Sequence, residues 1–298
     1  MTWDEARAIC EAGTPVRRRS WPVTRQSFRW LICQRGLFFE QQYFLNPTVP
    51  SGAPSIETAT RFRAAEFLSD DWTTEPILTT LDPDPPSVRP EGDQTLPAND
   101  DGSTTEIPLP FSINYYGTTY HSLWVNNNGN LTFDGAMSAY TPTSLAALGR
   151  AVIAVFWADV DTRAPTSGKA TYGNYNTDGD VFVATWPEVG YYSVAADKLN
   201  RFQIALVNQG GGDFDVELNY SKVEWETGNA SGGSGGLGGS SARAGFAAAS
   251  GGSVEIDGSG VNGGFLDSNP AGLIYRSHGS DIAGRFLYSF RGGLLQNP

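Results

Sequence analysis

The residues best suited to chemistry are few and scattered in this sequence. His121 and His278 are the two histidines; they lie in unrelated segments, and neither has the spacing of a metal ligand. The sequence contains no nucleophile-elbow motif, phosphate-binding loop or Cys–His pair. Carboxylates are abundant, so spacing alone leaves a hydrolase open, but no constellation stands out. We therefore expect a protein that is not an enzyme.

Two aspartates are the strongest candidates for metal ligands. Asp159 and Asp161 alternate along a strand end, so their side chains could share one face. Carboxylate oxygens suit Ca²⁺, which takes about six to eight oxygen ligands. The alternative is that both accept turn hydrogen bonds or pair with Arg163. We expect no cofactor, with Ca²⁺ as the candidate ion if one binds.

The formal net charge of −12 is unevenly distributed along the chain. Residues 1–75 contain nine arginines and nine acidic residues, so the excess negative charge lies in the remainder. An acidic body repels phosphate backbones, which argues against nucleic acid as a partner. The Arg17–Arg19 run has two interpretations, a contact with a small anion or a solvated turn.

Cysteine placement and the first residues bear on the compartment. Both cysteines, Cys10 and Cys33, lie near the start, so the rest of the chain has no disulfide framework. The opening Met-Thr-Trp-Asp-Glu-Ala places charges where a signal peptide has its apolar core. No run of about eighteen apolar residues occurs. We expect no signal peptide, no membrane insertion and assembly in a cytoplasm.

The elements that must position these residues form two predicted domains joined by a spacer. Residues 80–105 are rich in proline and aspartate, which predicts an extended linker. The segment before it, residues 1–79, has the pattern of a small α+β domain. Its predicted elements are a helix over 2–12, strands over 15–21 and 28–33, a helical turn over Ala64–Leu68 and a strand from Asp71 to Thr74.

Residues 106–293 have short apolar runs separated by turn residues, the pattern of a β-sandwich or barrel-like domain. The chain is therefore predicted to be mainly β. The glycine- and serine-rich Ser231–Ser241 is predicted to be a mobile surface loop, and residues 294–298 a tail. The predicted strands include Leu123–Asn126, Leu131–Phe133, Ala151–Trp157, Val181–Trp186, Arg201–Val207, Phe214–Tyr220, Arg243–Ala247 and Phe286–Phe290.

Aromatic and turn residues in this segment predict packing more than chemistry. Trp157, Trp186 and Trp225 are expected in the core or between sheets. The Ala151–Trp157 run is apolar throughout, as in a strand buried on both faces. Asn127-Asn-Gly129 is expected to supply the positive-φ residues of a tight hairpin.

The large domain resembles the NIDO domain of nidogen and related extracellular proteins over residues 107–293. The hairpin LWVNNNGNLTF at Leu123–Phe133 and the block FWADVDTR at Phe156–Arg163 carry the resemblance most clearly. The sequence departs from the family at Val155, where proline is usual, and in its long glycine loop. The resemblance implies a β-rich, non-enzymatic binding or structural module. Further blocks, in order, are Ala184–Tyr192, Asn200–Leu206, Asn219–Trp225, Ala244–Phe246, Leu266–Pro270 and Gly284–Tyr288.

The first 75 residues resemble a small phage-encoded family whose members block Thoeris defence by sequestering a cyclic ADP-ribose signal. The opening MTWDEA, the segment GTPVRRRSW and the closing FLSDDW carry this resemblance. It implies a nucleotide site in which Arg18 faces a phosphate, Trp21 or Trp72 stacks on a base and Asp71 takes a ribose hydroxyl. The alternative is that both tryptophans form a small core, Arg18 pairs with Asp71, and the domain serves as an anchor.

Together these patterns favour a phage virion component, such as a head decoration, fibre or tail-tip protein. The first domain would anchor it to capsid or tail proteins, and the NIDO-like domain would project outward. We expect a homo-oligomer, because virion proteins gain avidity by multivalency, and a host-surface glycan or protein as the target. The alternatives are an intracellular counter-defence protein that binds a cyclic nucleotide, and a bacterial surface adhesin.

Overall fold

The computed structural model divides into two compact units, residues 1–85 and residues 86–298. It describes residues 89–174, 179–250 and 252–296, and among the first 88 residues the backbone of five strands. Within these described ranges, no helix is long and apolar enough to cross a membrane.

The described part of the first unit is antiparallel β-structure. Strand β1 (Arg17–Arg18) pairs with β5 (Trp72–Thr73), and a separate sheet has the order β2 (Ser27–Gln34), β3 (Leu37–Phe44), β4 (Ser55–Thr60). The strand expected at 28–33 is confirmed, whereas β3 and β4 were not predicted. The helix expected over 2–12 and the helical turn over 64–68 lie outside the described residues.

The second unit consists of two antiparallel sheets. Among the described strands neither sheet closes on itself, so the architecture is an open sandwich and not a barrel. The first sheet has, in spatial order, β17 (Ser253–Glu255), β16 (Arg243–Ala247), β10 (Val152–Trp157), β9 (Asn130–Thr132), β8 (Thr118–Asn126) and β7 (Ile107–Tyr115).

The second sheet contains the longest strands. Its centre is the meander of β13 (Val181–Tyr191), β14 (Ala195–Gly210) and β15 (Asp213–Lys222). Its outer strands are β18 (Arg285–Arg291) and β19 (Leu294–Leu295) on one side, β12 (Thr171–Asn174) and β6 (Gln94–Thr95) on the other, with β11 (Val160–Asp161) paired to β13.

One aromatic core joins the two sheets. The ring of Phe202 stacks between Phe156 and Trp186 at centroid distances of 5.1 and 5.4 Å, and Trp225 packs edge-on against Phe156. All three tryptophans predicted to be in the core are buried, which confirms that prediction. The hydroxyl of Tyr220 also donates to the backbone oxygen of Val155, tying one sheet to the other.

Strand β10 is buried on both faces, as its uninterrupted apolar sequence predicts. Ile153 and Val155 belong to the inter-sheet core, whereas Val152 and Trp157 belong to a second cluster on the outer face. That outer cluster is completed by residues of the β9–β10 connection, Met137, Leu145 and Leu148.

The spacer predicted over 80–105 is largely wrong, because residues 89–105 are built into the sandwich. Gln94–Thr95 forms β6, Leu96 is buried in the core, and Arg89 forms an ion pair with Glu217. Composition was misleading because a single buried leucine and a few side-chain hydrogen bonds suffice to fix a polar, extended segment on a sheet. Residues 80–88 lie outside the described residues.

The glycine–serine tract is also not the loose surface loop that its composition predicts. The backbone oxygen of Gly236 accepts the N–H groups of Glu226 and Thr227, and both Ser231 and Ser241 are buried. A Cβ on Gly236 would come within 2.7 Å of the Cβ of Trp225, so the glycine permits close packing on that tryptophan. The predicted tail is likewise partly structured, since it begins with β19, paired to β18.

Candidate functional site

Several loops meet at one end of the sandwich, here called the loop end: residues 99–102, 127–129, 158–163, 192–194 and 228–231. Backbone hydrogen bonds connect them in series. Asn127 donates to Gly102, Thr162 to Asn99, Tyr192 to Asp159 and Asn229 to Tyr192. The strands therefore bring chain segments more than a hundred residues apart into one hydrogen-bonded group.

The β8–β9 hairpin organises the loop end. Its three-residue loop needs one left-handed residue, Gly129 at φ 78°, and a Cβ there would collide with the backbone oxygen of Phe156. Asn127 and Asn128 do not adopt positive φ, contrary to the expectation for this turn. Their side chains instead hold Val160: Asn127 Nδ2 donates to its oxygen at 2.6 Å, and Asn128 Oδ1 accepts its N–H at 2.9 Å.

Asp161 follows the alternative interpretation given for it from the sequence. Its carboxylate accepts two hydrogen bonds from the Arg163 guanidinium, at 2.9 and 2.6 Å, and one from the backbone N–H of Val194. Burial alone would raise the pKa of Asp161, but these hydrogen bonds and the charge of Arg163 hold it below its ordinary value. Asp161 therefore stabilises its own turn and is not grouped with Asp159.

Asp159 belongs to a different group, the acidic cluster of Asp100, Asp101 and Asp159. One carboxylate oxygen from each lies within 4.8 Å of the others. Asp159 is only 2% exposed, and its Oδ2 has no hydrogen-bond partner; the same is true of Asp100 Oδ1. Such unpartnered buried oxygens are uncommon in folded proteins and call for an explanation.

The acidic cluster carries the most perturbed carboxylates of the loop end. Burial, followed by the charges of Asp100, Asp101 and Asp161, raises the pKa of Asp159 to about 7. Burial and the charges of Asp101 and Asp161 raise the pKa of Asp100 to about 6, against the opposing effect of Arg163. The cluster thus concentrates negative charge that its surroundings compensate only in part.

Sequence reasoning missed Asp100 and Asp101 because it placed them in the spacer. The signal that could have found them is Asn99-Asp-Asp-Gly102, a turn sequence rich in acidic residues. In the structure Asn99 Oδ1 accepts the N–H of Gly102 at 2.7 Å, which closes this turn. The turn is then fixed by Asn127 Nδ2, which donates to the backbone oxygen of Asp100.

The remaining candidate residues are not brought to the loop end. His121 is exposed on β8, and the ring of His278 stacks on that of Tyr288 at 4.6 Å. In the first unit, Arg18 lies opposite Trp72 in the β1–β5 register. Trp21 and Asp71 lie outside the described residues, so the nucleotide site stays a prediction.

Exposed hydrophobic side chains surround the loop end. Tyr140, Val194 and Leu237 are 39%, 49% and 40% exposed. Each lies on a segment tied to the loop end or to the glycine–serine tract beside it. The oxygen of Tyr140 accepts a bond from Ser231 Oγ, the N–H of Val194 donates to Asp161, and Leu237 pairs with Ser234.

The fold and the loop end define a class: an open antiparallel β-sandwich whose connecting loops form a polar, partly apolar surface at one end. The description "NIDO related" is the family model that matches this chain, over residues 87–260. This chain belongs to the NIDO-related family, and the resemblance found in the sequence is confirmed for this domain.

Relatives share this domain within much longer chains. Alpha-tectorin of Mus musculus is 36% identical over 180 residues, which is 52% of this chain and 8% of the relative. Nidogen of Drosophila melanogaster is 31% identical over 130 residues, covering 36% of this chain and 10% of the relative. This chain therefore spans about a tenth or less of these relatives. No solved structure is a significant match.

Proposed function

We propose that this chain is a non-enzymatic adhesion or structural protein that contacts its target through the loop end. The observation that carries the proposal is the composition of that surface. Exposed Tyr140, Val194 and Leu237 surround an acidic cluster, on a scaffold whose other large aromatic residues are mostly buried. A rigid sandwich that presents loops at one end is an arrangement commonly used for binding.

The relatives support a modular binding role. In alpha-tectorin and nidogen the matching region is a small part of a long chain, 8% and 10% respectively, so the domain occurs as one module among others. A module reused in chains of different length suits a contact surface better than a self-contained catalyst.

Cell binding by the purified, fluorescently labelled full-length chain tests the adhesive role. We expect saturable binding to bacterial cells that is reduced at least about tenfold by the triple variant Tyr140→Ser, Val194→Asn, Leu237→Ser, since truncating central apolar contacts commonly costs over a kcal/mol each. The matched control is Leu294→Ser, which removes a 64% exposed leucine on β19. Equal binding by the triple variant and the wild type would place the contact elsewhere.

The setting that we propose for this adhesion protein is a phage virion. Support comes from the resemblance of residues 1–75 to a phage-encoded family, with that segment acting as the anchor to capsid or tail proteins. Assembly as a homo-oligomer would multiply weak contacts to a host-surface glycan or protein.

Quantitative mass spectrometry of gradient-purified phage particles tests the virion setting. A stoichiometric signal supports it, and the copy number distinguishes head decoration from a tail-tip part. Abundance in infected cells combined with absence from particles would remove the virion role. Such a result would leave the adhesion proposal to be judged on cell binding alone.

A further inference from the structure

We propose that the acidic cluster of Asp100, Asp101 and Asp159 is a Ca²⁺ site. This site goes beyond the adhesive role, because ion binding by the purified protein requires no partner. It also replaces the pairing of Asp159 with Asp161 that strand alternation predicts from the sequence.

The spacing of the cluster fits a single ion. Calcium–oxygen distances are about 2.3–2.6 Å, so two oxygens on one ion are at most about 5 Å apart. One oxygen from each of the three aspartates lies within 4.8 Å of the others. All three can therefore reach a common ion with small side-chain movements.

Buried oxygens without partners point to a missing ligand. Asp159 is 2% exposed, and one of its oxygens accepts the backbone N–H of Ala230, whereas Oδ2 has no partner. Asp100 Oδ1 is likewise buried and without a hydrogen bond. A bound cation satisfies both oxygens at once, which a single water, limited to two donated hydrogens, does less completely.

The local charges do not balance within the protein. Asp100, Asp101, Asp159 and Asp161 are neighbours, and among the described residues Arg163 is the one cation that forms ion pairs with this group. Its guanidinium is hydrogen-bonded to Asp161 at 2.6 Å and lies 3.2 Å from Asp100. A divalent cation at the cluster would offset most of the remaining negative charge.

The three side chains are held in place before any ion arrives. Asn128 Nδ2 donates to Asp101 Oδ1 at 2.9 Å, and the Asn99 turn fixes the backbone of Asp100 and Asp101. A Cβ on Gly228 would collide with Asp159 Oδ2, so that chain segment packs directly against the carboxylate. Preorganised ligands lower the cost of gathering like charges around an ion.

The ligands favour Ca²⁺ over Mg²⁺. They come from two irregular loops and not from a regular octahedral frame, and Ca²⁺ accepts variable geometry with six to eight oxygens, whereas Mg²⁺ requires near-ideal octahedral coordination. Water would complete the coordination sphere.

Calorimetric titration of the chelator-treated full-length chain with CaCl₂ tests the site, together with thermal unfolding. We expect one site per chain, a dissociation constant on the order of 10⁻⁴–10⁻³ M and weaker binding of MgCl₂. At ten times the dissociation constant, Ca²⁺ should raise the melting temperature of the larger unit by about 3–5 °C. The absence of both heat and thermal shift at 10 mM CaCl₂, or equal affinity for Mg²⁺, would overturn the proposal.

Variants separate a ligand from a merely structural carboxylate. Asp159→Asn should lower Ca²⁺ affinity at least about tenfold, yet leave the calcium-free protein at least as stable as wild type because a repulsive charge is gone. The half-buried Asp101→Asn should weaken binding in the same direction and serves if Asp159→Asn fails to fold. The exposed Asp281→Asn makes the same chemical change outside the cluster and should bind as wild type does. Unchanged affinity in both cluster variants would contradict the site.

Discussion

At the residue scale, Val194 is held in a backbone conformation that β-branched residues rarely adopt. Its φ is 58°, in the left-handed region, and its side chain is half exposed. The N–H of Val194 donates to Asp161 at 2.8 Å, so the ion-paired carboxylate maintains this conformation. Conformational strain at an exposed apolar residue is a pattern found at functional surfaces.

Replacing Val194 by asparagine should therefore stabilise the protein. Asparagine tolerates the left-handed region, and little buried surface is lost, so we expect the free energy of unfolding to rise by about 1 kcal/mol. Urea unfolding of the full-length chain measures this change. Greater stability combined with weaker cell binding would indicate that valine is retained for contact; a fall in stability would show that the conformation carries no cost.

Gly129 and Gly117 form a natural pair for separating conformation from close approach. Both have left-handed φ, 78° and 86°, but a Cβ on Gly129 meets the oxygen of Phe156, whereas Gly117 has open space. Gly117→Ala should cost about 1 kcal/mol. Gly129→Ala should cost a further 1–3 kcal/mol, roughly, from overpacking, and disturb the loop end. Equal losses in thermal unfolding would mean that the hairpin moves freely away from β10.

At the element scale, the segment 89–105 behaves as a strap across the second sheet. Arg89 donates to both oxygens of Glu217, at 2.9 and 2.7 Å, and its backbone exchanges hydrogen bonds with the side chain of Gln203. Glu217 is nearly buried on β15, so the pair fixes the strap to the centre of the sheet. The same strap then delivers Asp100 and Asp101 to the loop end.

The Arg89–Glu217 pair should make the protein sensitive to acid. Burial alone would raise the pKa of Glu217, but Arg89 and then Arg285 lower it below its ordinary value of 4.5. A carboxylate with a depressed pKa contributes stability above its unfolded pKa, and this contribution is lost as the pH falls through the folded value. Glu217→Gln should therefore be less stable at pH 7, by about 1–3 kcal/mol, and lose less stability than wild type below pH 4.5.

Thermal unfolding between pH 3 and pH 7 measures the acid sensitivity. The matched control is Arg89→Gln together with the double variant, because a double-mutant cycle isolates the pairwise interaction. Parallel acid profiles for wild type and Glu217→Gln would show that other carboxylates govern acid unfolding.

At the scale of the whole molecule, the boundary between the units determines which fragment folds. Contacts divide the chain between residues 85 and 86, well before the end of the compositional linker at residue 105. We expect residues 86–298 to unfold cooperatively as an isolated fragment. A fragment of residues 106–298 lacks β6, the buried Leu96 and the Arg89 ion pair, and should lose more than about 4 kcal/mol or fail to fold.

Thermal unfolding and heteronuclear NMR spectra of the two fragments provide the comparison. Equal stability of both fragments would contradict the role assigned to the strap. Failure of residues 86–298 to fold alone would instead show that the first unit is required.

Much of the sandwich could be predicted because its central strands have a strong local signal. Val152–Trp157 is apolar throughout, and the Gln209–Gly212 turn separates two long strands. Strand β7 escaped prediction because it contains Pro108 and Pro110, which are tolerated there since it lies at a sheet edge. The short strands β6, β11 and β19 have no local signal of their own, and they form because longer strands offer them partners.

The sequence by itself determined the mainly β class, the tryptophan core and the family, because periodic apolar runs, turn residues and ordered motif blocks are properties of neighbouring residues. Only the tertiary structure decided the composition of the acidic cluster. Asp159 and Asp161 are two residues apart, yet Arg163 takes Asp161, while Asp159 joins aspartates from the strap. Carboxylates interact through space and not along the chain, so the fold, by packing residues 99–102 against the β8–β9 hairpin, determines which of them meet.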